Sequence, residues 1–177
     1  AVALARHRFF GRDAAATALS SPLMAPQVVL GMSLLILLSQ AGVVSSAVGL
    51  GALHLILTLP YTVRVLMAAL VRFPLSLEEA AVIHGAPRAV AFLRVTVPAI
   101  KPGLVAAAIF AFVTSFDNFT ATQFLIWDRT TLPVEIFAYA TTESDPTVCA
   151  ISAILVLVTT GVVVLVERWV GLETVTG

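Results

Sequence analysis

Charge is what this sequence has least of. Its 177 residues hold ten basic and ten acidic side chains, 11% of the total and a net charge of zero, where soluble domains average about 25% charged residues. With no basic block anywhere, nothing supports nucleic-acid binding. Cysteine occurs once, at Cys149 in an apolar run, so no internal disulfide can form and packing is its expected role. The three histidines, His7, His54 and His84, are scattered without ligand spacing, and no metal site is expected. A phosphate-cradling loop of the form GxxxxGK[ST] is missing, so the chain brings no ATP site and no cofactor of its own. The apolar segments also lack paired acids or a Ser/Lys arrangement, which argues against an intramembrane enzyme. Residues 1–13 have neither the apolar core nor the cleavage site of a signal peptide. With alanine as the first residue, this reads as a fragment whose N-terminal part is missing.

What is present is apolar: 59% of the residues are hydrophobic. A bilayer core about 30 Å thick requires roughly 20 apolar residues in a helix, and four stretches approach that length, at about 22–40, 47–71, 103–126 and 148–166. The expected fold is therefore all-α, a polytopic membrane helix bundle forming one transmembrane domain over 1–177. Pro22 and Pro26 break the start of the first stretch. Pro60 lies inside the second, where the lost backbone bond and the clash with the preceding turn predict a kink. Positive residues stay on the cytoplasmic side of membranes. Arg6, Arg8 and Arg12, then Arg72, Arg88, Arg94 and Lys101, and finally Arg168 put both termini and the 72–102 loop there. The external loops 41–46 and 127–147 carry Arg129 against Asp128, Glu135, Glu143 and Asp145.

The 72–102 loop interrupts the apolar pattern with structure of its own. Ser76 followed by Glu79 has the spacing of a capping box, in which each side chain satisfies an amide at a helix start, and predicts a helix from Leu77. Gly85 suits the left-handed residue that closes it, and Pro87 suits the first turn of a second helix, ending before Pro98. The product is a two-armed elbow near the membrane surface, with Ala80, Ala81 and Ile83 on one side of the first arm. Small residues there allow another protein to approach closely.

Asp117 is the one acid deep inside an expected span, where a central charge costs about 2.5–3.5 kcal/mol and marks a candidate functional site. Thirteen residues from Leu104, it would lie roughly 20 Å along the helix, in the outer half, and could meet a cationic solute. Its neighbours Thr114, Ser115, Asn118 and Thr120 could instead form a polar network between helices. Arg64, roughly 12 Å inside the cytoplasmic end of its span, is expected to snorkel to that interface rather than reach Asp117. Gly49, Gly51 and Ala52 offer close helix packing.

Glu79-Ala80-Ala81, three residues, Gly85, nine residues, then Val95, Val97 and Pro98 resembles the EAA loop of the permease subunits of bacterial ABC importers. The family more often has isoleucine and leucine where this chain has the two valines. From about Leu19 to Leu172 the chain is similar to the spermidine/putrescine type of permease, through Leu59-Pro60-Tyr61, Arg64, Ser115-Phe116-Asp117-Asn118 and Thr131-Leu132-Pro133. Asn118 stands where that type often has a second acid. The resemblance implies a pathway-forming subunit of the bacterial inner membrane, a second permease subunit, an external or periplasmic solute-binding protein, and cytoplasmic ATPase subunits that hold ATP and Mg. The loop would dock in an ATPase cleft, with Glu79 pairing to a basic residue. The implied solute is small, organic and cationic, such as a polyamine; a phosphonate, an opine-like compound or ferric iron are the alternatives.

Overall fold

A computed structural model describes residues 1–142 and 146–170 of the protein, without the side chains of Trp169 and Val170. Glu143 and Asp145 of the acidic loop, and the end of the chain past residue 170, lie outside the described residues. Among those described, all regular structure is helical: α1 (Val2–Arg6), α2 (Arg12–Ser20), α3 (Gln27–Gln40), α4 (Ser46–Arg72), α5 (Leu75–Ile83), α6 (Arg88–Ala91), α7 (Val97–Ala99), α8 (Lys101–Phe116), α9 (Leu132–Thr142) and α10 (Thr147–Val170).

Two helices are long and apolar enough to cross a membrane, Ser46–Arg72 with mean hydropathy 1.6 and Thr147–Arg168 with 2.7. Two further pairs qualify only if each bent pair counts as one span. Arg12–Met24 and Gln27–Gln40 meet at 103°, and Arg88–Ala99 and Lys101–Phe116 at 70°. Prolines flank both bends, Pro22 and Pro26 at the first and Pro98 and Pro102 at the second, where each removes a backbone donor. At Pro60, by contrast, α4 continues unbroken. Near it the Thr58 hydroxyl donates to the His54 carbonyl at 2.7 Å and that of Thr62 to the Leu59 carbonyl at 2.9 Å.

α4 packs most extensively on α8, and a missing side chain permits it: a Cβ on Gly103 would lie 2.4 Å from the Ala69 Cβ. The core sits toward the other end of α4, where Leu53, Leu57, Ala121 and Leu125 are buried against Leu30, Leu34, Leu38 and Trp127. Gly49 takes part, since a Cβ there would meet the Trp127 ring at 2.8 Å, whereas Gly51 faces open space.

The span expected over 103–126 is corrected: α8 stops at Phe116, and the chain turns back through Asp117–Ala121 and a short 3₁₀ turn, Thr122–Phe124, into that core. The reason is polar. Asn118 accepts the Ala121 amide on its own side-chain oxygen, a local bond that competes with helix continuation. Non-helical backbone at membrane depth is sustainable when buried in protein, and Gly31 makes room by bringing α3 against the Ala121 carbonyl.

Candidate functional site: a two-armed elbow and a polar turn

The elbow forms, by a different route from the one its sequence suggests. α5 begins at Leu75, two residues before the expected Leu77, with Pro74 in the cap position and no side-chain cap bond. Ser76 is therefore one turn position inside the helix and exposed, and the capping-box role for Ser76 and Glu79 is overturned. Proline at the cap already fixes an extended φ of −70° and presents no surplus donor, so the start does not need the serine. The far end of α5 is as expected. Gly85 takes φ +93°, its amide bonds the Val82 carbonyl at 2.9 Å, and the Ala86 amide bonds that of Ala81 at 3.1 Å. This pair of bonds closes the helix in the Schellman manner.

Pro87 serves as the cap residue of α6 rather than its first-turn residue. The second arm does not end before Pro98. It passes from α6 through a π-helical segment, Phe92–Thr96, directly into α7, with Pro98 as the second residue of α7. Val95 and Val97 are half-buried on this arm, and Ala80 and Pro98 are exposed.

Two adjacent glutamates of α5 line one cleft against α1 and differ in exposure and in partners. Glu78 is turned inward, its side chain 15% exposed, where its Oε2 accepts a 2.7 Å bond from Arg6 Nη1. The same oxygen accepts the hydroxyl of the fully buried Thr96, and Arg6 Nη2 reaches that hydroxyl at 3.4 Å. The Arg6 guanidinium also lies 6.0 Å from the Phe73 ring centroid and 5.6 Å from that of Phe92, within the range of cation–π attraction. Hydrogen bonding from Thr96, and then the Arg6 bond and charge, hold the Glu78 carboxyl below its ordinary range. Glu79, about 100° further round the helix, is exposed and carries no ion pair among the described residues. A cleft of about 600 Å³ separates α1 from the elbow, lined among others by Val2, Arg6, Leu75, Glu79, Ile83 and Phe92. The Arg6–Glu78–Thr96 triad was missed in the sequence because the residues lie 72 and 18 positions apart and belong to no motif.

At the opposite end of α4 lies the polar turn. Asp117 is not deep in a helix: it is the residue that ends α8, and it is exposed. Its carboxylate forms no ion pair among the described residues, and Arg64 instead donates to the Ser20 hydroxyl at 3.3 Å. Asn118 is 7% exposed and fully engaged. Its Nδ2 donates to Gln27 Oε1 at 2.9 Å, and its Oδ1 accepts the Ala121 amide at 3.3 Å and the Thr122 hydroxyl at 3.2 Å. Ser115 Oγ lies 3.1 Å from His54 Nδ1, bridging α8 and α4, while Thr114 is half-buried on α8. The polar network between helices therefore exists at Ser115 and Asn118. Beside it is a cavity of about 240 Å³ lined by His54, Ser115, Phe116, Asn118, Thr131 and Pro133 among others, and the Thr131 hydroxyl is buried without a partner. Among the described residues no cluster of His, Cys, Asp and Glu is arranged to hold a metal.

This end is closed by a long-range cap. Ser46, fully buried at the start of α4, donates its amide to Asp128 Oδ1 at 2.9 Å, and its hydroxyl receives the amides of Trp127, Asp128 and Arg129 at 2.7, 3.1 and 3.2 Å. The Ser46 bonds hold the Asp128 carboxyl below its ordinary range.

The family described as "Binding-protein-dependent transport system inner membrane component" matches residues 1–172. The chain is 34% identical over 116 residues to the diacetylchitobiose uptake system permease protein DasC of Streptomyces coelicolor, covering 66% of this chain and 42% of that protein. It is 29% identical over 166 residues to the spermidine/putrescine transport system permease protein PotC of Haemophilus influenzae, covering 93% and 65%. It is 31% identical over 171 residues to the putrescine transport system permease protein PotI of Escherichia coli, covering 92% and 60%. The chain thus spans 42–65% of the length of these relatives.

Proposed function

The chain belongs to the binding-protein-dependent transport system inner membrane component family, and from that premise we propose that it forms the pathway of an ATP-driven importer and that its elbow receives a cytoplasmic ATPase. One observation carries the docking role. Glu78 is consumed inside the elbow by Arg6 and Thr96, while Glu79 on the next position is exposed and unpaired. An exposed carboxylate at the cleft of a braced arm is what a basic residue of a partner can use. Arg72, Arg88, Arg94 and Lys101 around the elbow support its cytoplasmic side, and with it the cytoplasmic placing of the described N-terminal end. The partners under this reading are the ATPase subunits with their ATP and Mg, a second permease subunit and an external solute-binding protein.

The test is Glu79→Ala in the assembled, reconstituted complex. Assembly should persist at least in part while solute-stimulated ATPase activity falls about tenfold, the loss of roughly 1.4 kcal/mol in coupling. Unchanged coupled transport would remove the docking role.

For the solute, the reading is a small cationic organic molecule of the polyamine kind, supported by the exposed, unpaired Asp117 carboxylate and by the likeness to permeases named for spermidine and putrescine. A second reading, a neutral hydroxylated solute, is favoured by the cavity beside Ser115, whose polar lining is an imidazole, hydroxyls and an amide with no charged group. The likeness to a permease named for diacetylchitobiose agrees with it. Solute-stimulated ATPase activity measured with spermidine, putrescine, diacetylchitobiose, a phosphonate and ferric iron separates these. Under the cationic reading Asp117→Asn impairs uptake with ATPase docking intact; a response to diacetylchitobiose alone would replace that reading with the neutral one.

A further inference from the structure

We propose that Arg6 is a positioning residue for ATPase docking: from α1 it clamps both arms of the elbow and so fixes the direction in which Glu79 is presented. The inference rests on the elbow being the ATPase surface and concerns what sets that surface. Arg6 touches four places in one step: Glu78 on the first arm, Thr96 and Phe92 on the second, and Phe73 at the end of α4. Its side chain is 13% exposed, so the contacts are shielded from salt and solvent more than a surface pair is. The bond to Glu78 uses one guanidinium nitrogen and the bond to Thr96 another, a forked geometry that a lysine cannot reproduce.

The base from which Arg6 reaches is itself fixed. Leu4 is buried, α1 packs along α4, and the Arg12 side chain donates to the Leu4 carbonyl at 2.8 Å. The arms also pack on one another, α5 against α6 and against the Phe92–Thr96 segment, but α5 has no buried residue and the turn at Gly85 is exposed. Thr96, the only buried polar residue of the second arm among those described, hydrogen-bonds to the first arm at Glu78. Remove the guanidinium and that junction keeps one hydroxyl–carboxylate bond, with Glu78 left part-buried and without its countercharge.

The experiment measures binding of the cognate ATPase subunit to the complete, detergent-purified permease assembly, with the thermal midpoint of each variant recorded alongside. Arg6→Ala should weaken ATPase binding about tenfold, Arg6→Lys by less, and the charge swap Arg6→Glu with Glu78→Arg should recover part of the loss, since it restores the ion pair but not the contacts of Arg6 with Thr96, Phe73 and Phe92. Binding within twofold of wild type in Arg6→Ala would overturn the proposal. So would a swap as weak as the single variant, or losses that track the thermal midpoint alone. Should Arg6→Ala not fold, Thr96→Val serves instead: it removes the clamp's one hydroxyl and both of its bonds, to Glu78 and from Arg6, is expected to cost about threefold, and overturns the proposal if binding is unchanged. Glu79→Arg separates the two levels of inference. Normal binding there would mean that the elbow is not the ATPase surface, whereas weakened binding with Arg6→Ala unaffected would remove the clamp and leave the surface standing.

Discussion

The two ends of α4 solve the same problem in opposite ways. At its C-terminal end the elbow takes its turns from neighbours: Pro74, Gly85 and Pro87 punctuate a stretch of fourteen residues, each acting through its own backbone, and one distant residue, Arg6, ties the arms. At its N-terminal end, roughly 40 Å away along the helix, the polar turn is assembled from strangers. Ser46 meets Asp128 and its neighbours across more than 80 positions, and Asn118 meets Gln27 across 91. The elbow leaves Glu79 without an ion pair among the described residues, while the turn buries Asn118, Thr122 and Ser46 in hydrogen bonds and leaves Asp117 exposed. A surface built to receive a partner needs unsatisfied groups and a firm frame. A turn that interrupts a membrane helix must satisfy its own backbone or not exist.

The sharpest way to break this contrast is at Asn118. Asn118→Leu keeps the branched shape but removes three hydrogen bonds and strands the Gln27 amide and the Ala121 N–H. At about 1 kcal/mol per bond, with a further penalty for orphaned groups, the loss is about 3–4 kcal/mol. It should be read from unfolding in mixed micelles, and ATPase docking by any protein that still folds should be unchanged. A loss below about 1 kcal/mol would mean that the turn is held by the apolar core of Leu53 and Leu125 and not by its polar bonds.

Legibility followed the same division. Gly85 was readable because only a left-handed residue closes that helix, and the long helices 47–71 and 148–166 were readable because apolar length alone defines them; observed bounds differ from these by a few residues. Ser76 misled because a capping box and a proline cap compete for one helix start, and local spacing does not say which wins. The stop of α8 was hidden because Phe119, Phe124, Leu125 and Ile126 carry the apolar run on past Asp117 and Asn118, and the Asn118 amide that turns the chain locally at Ala121 is anchored by Gln27, 91 residues earlier. Glu78 went unnoticed beside Glu79 because the pattern of the loop names one acid, and only Arg6, folded back from the first helix, tells the pair apart.

A smaller effect sharpens the local side of the contrast. Gly85→Ala meets no atom within 4 Å, so its cost is the backbone alone: about 1–2 kcal/mol for an alanine held in the left-handed region. The loss should be confined to the elbow, raising amide exchange over residues 75–98 without altering exchange at the polar turn. Equal changes at both ends would mean that the elbow and the turn unfold as one unit, and that the division drawn between them is not energetic.

The smallest expected effect is on acidification, and both ends share its sign. The carboxyls of Glu78 and Asp128 are each held below their ordinary range in the folded chain. Their contributions are complete above the unfolded carboxylate range near about 4 and fade as pH falls through the lowered folded values, because the unfolded chain binds protons first. Midpoints recorded from pH 7 down to about 3 should therefore decline for wild type, with Glu78→Gln and Asp128→Asn each flattening part of the fall. Both are held first by neutral groups, Glu78 by the Thr96 hydroxyl and Asp128 by Ser46. They should separate by salt in the remainder: Glu78 has a close partner in Arg6 at 2.7 Å, whereas Arg129 stands 3.9 Å from Asp128 and both are exposed, so the Glu78 share should shrink more as ionic strength rises. If salt moves both shares alike, the frame at Ser46 is electrostatic at heart, and the two ends of α4 differ in reach along the chain rather than in kind.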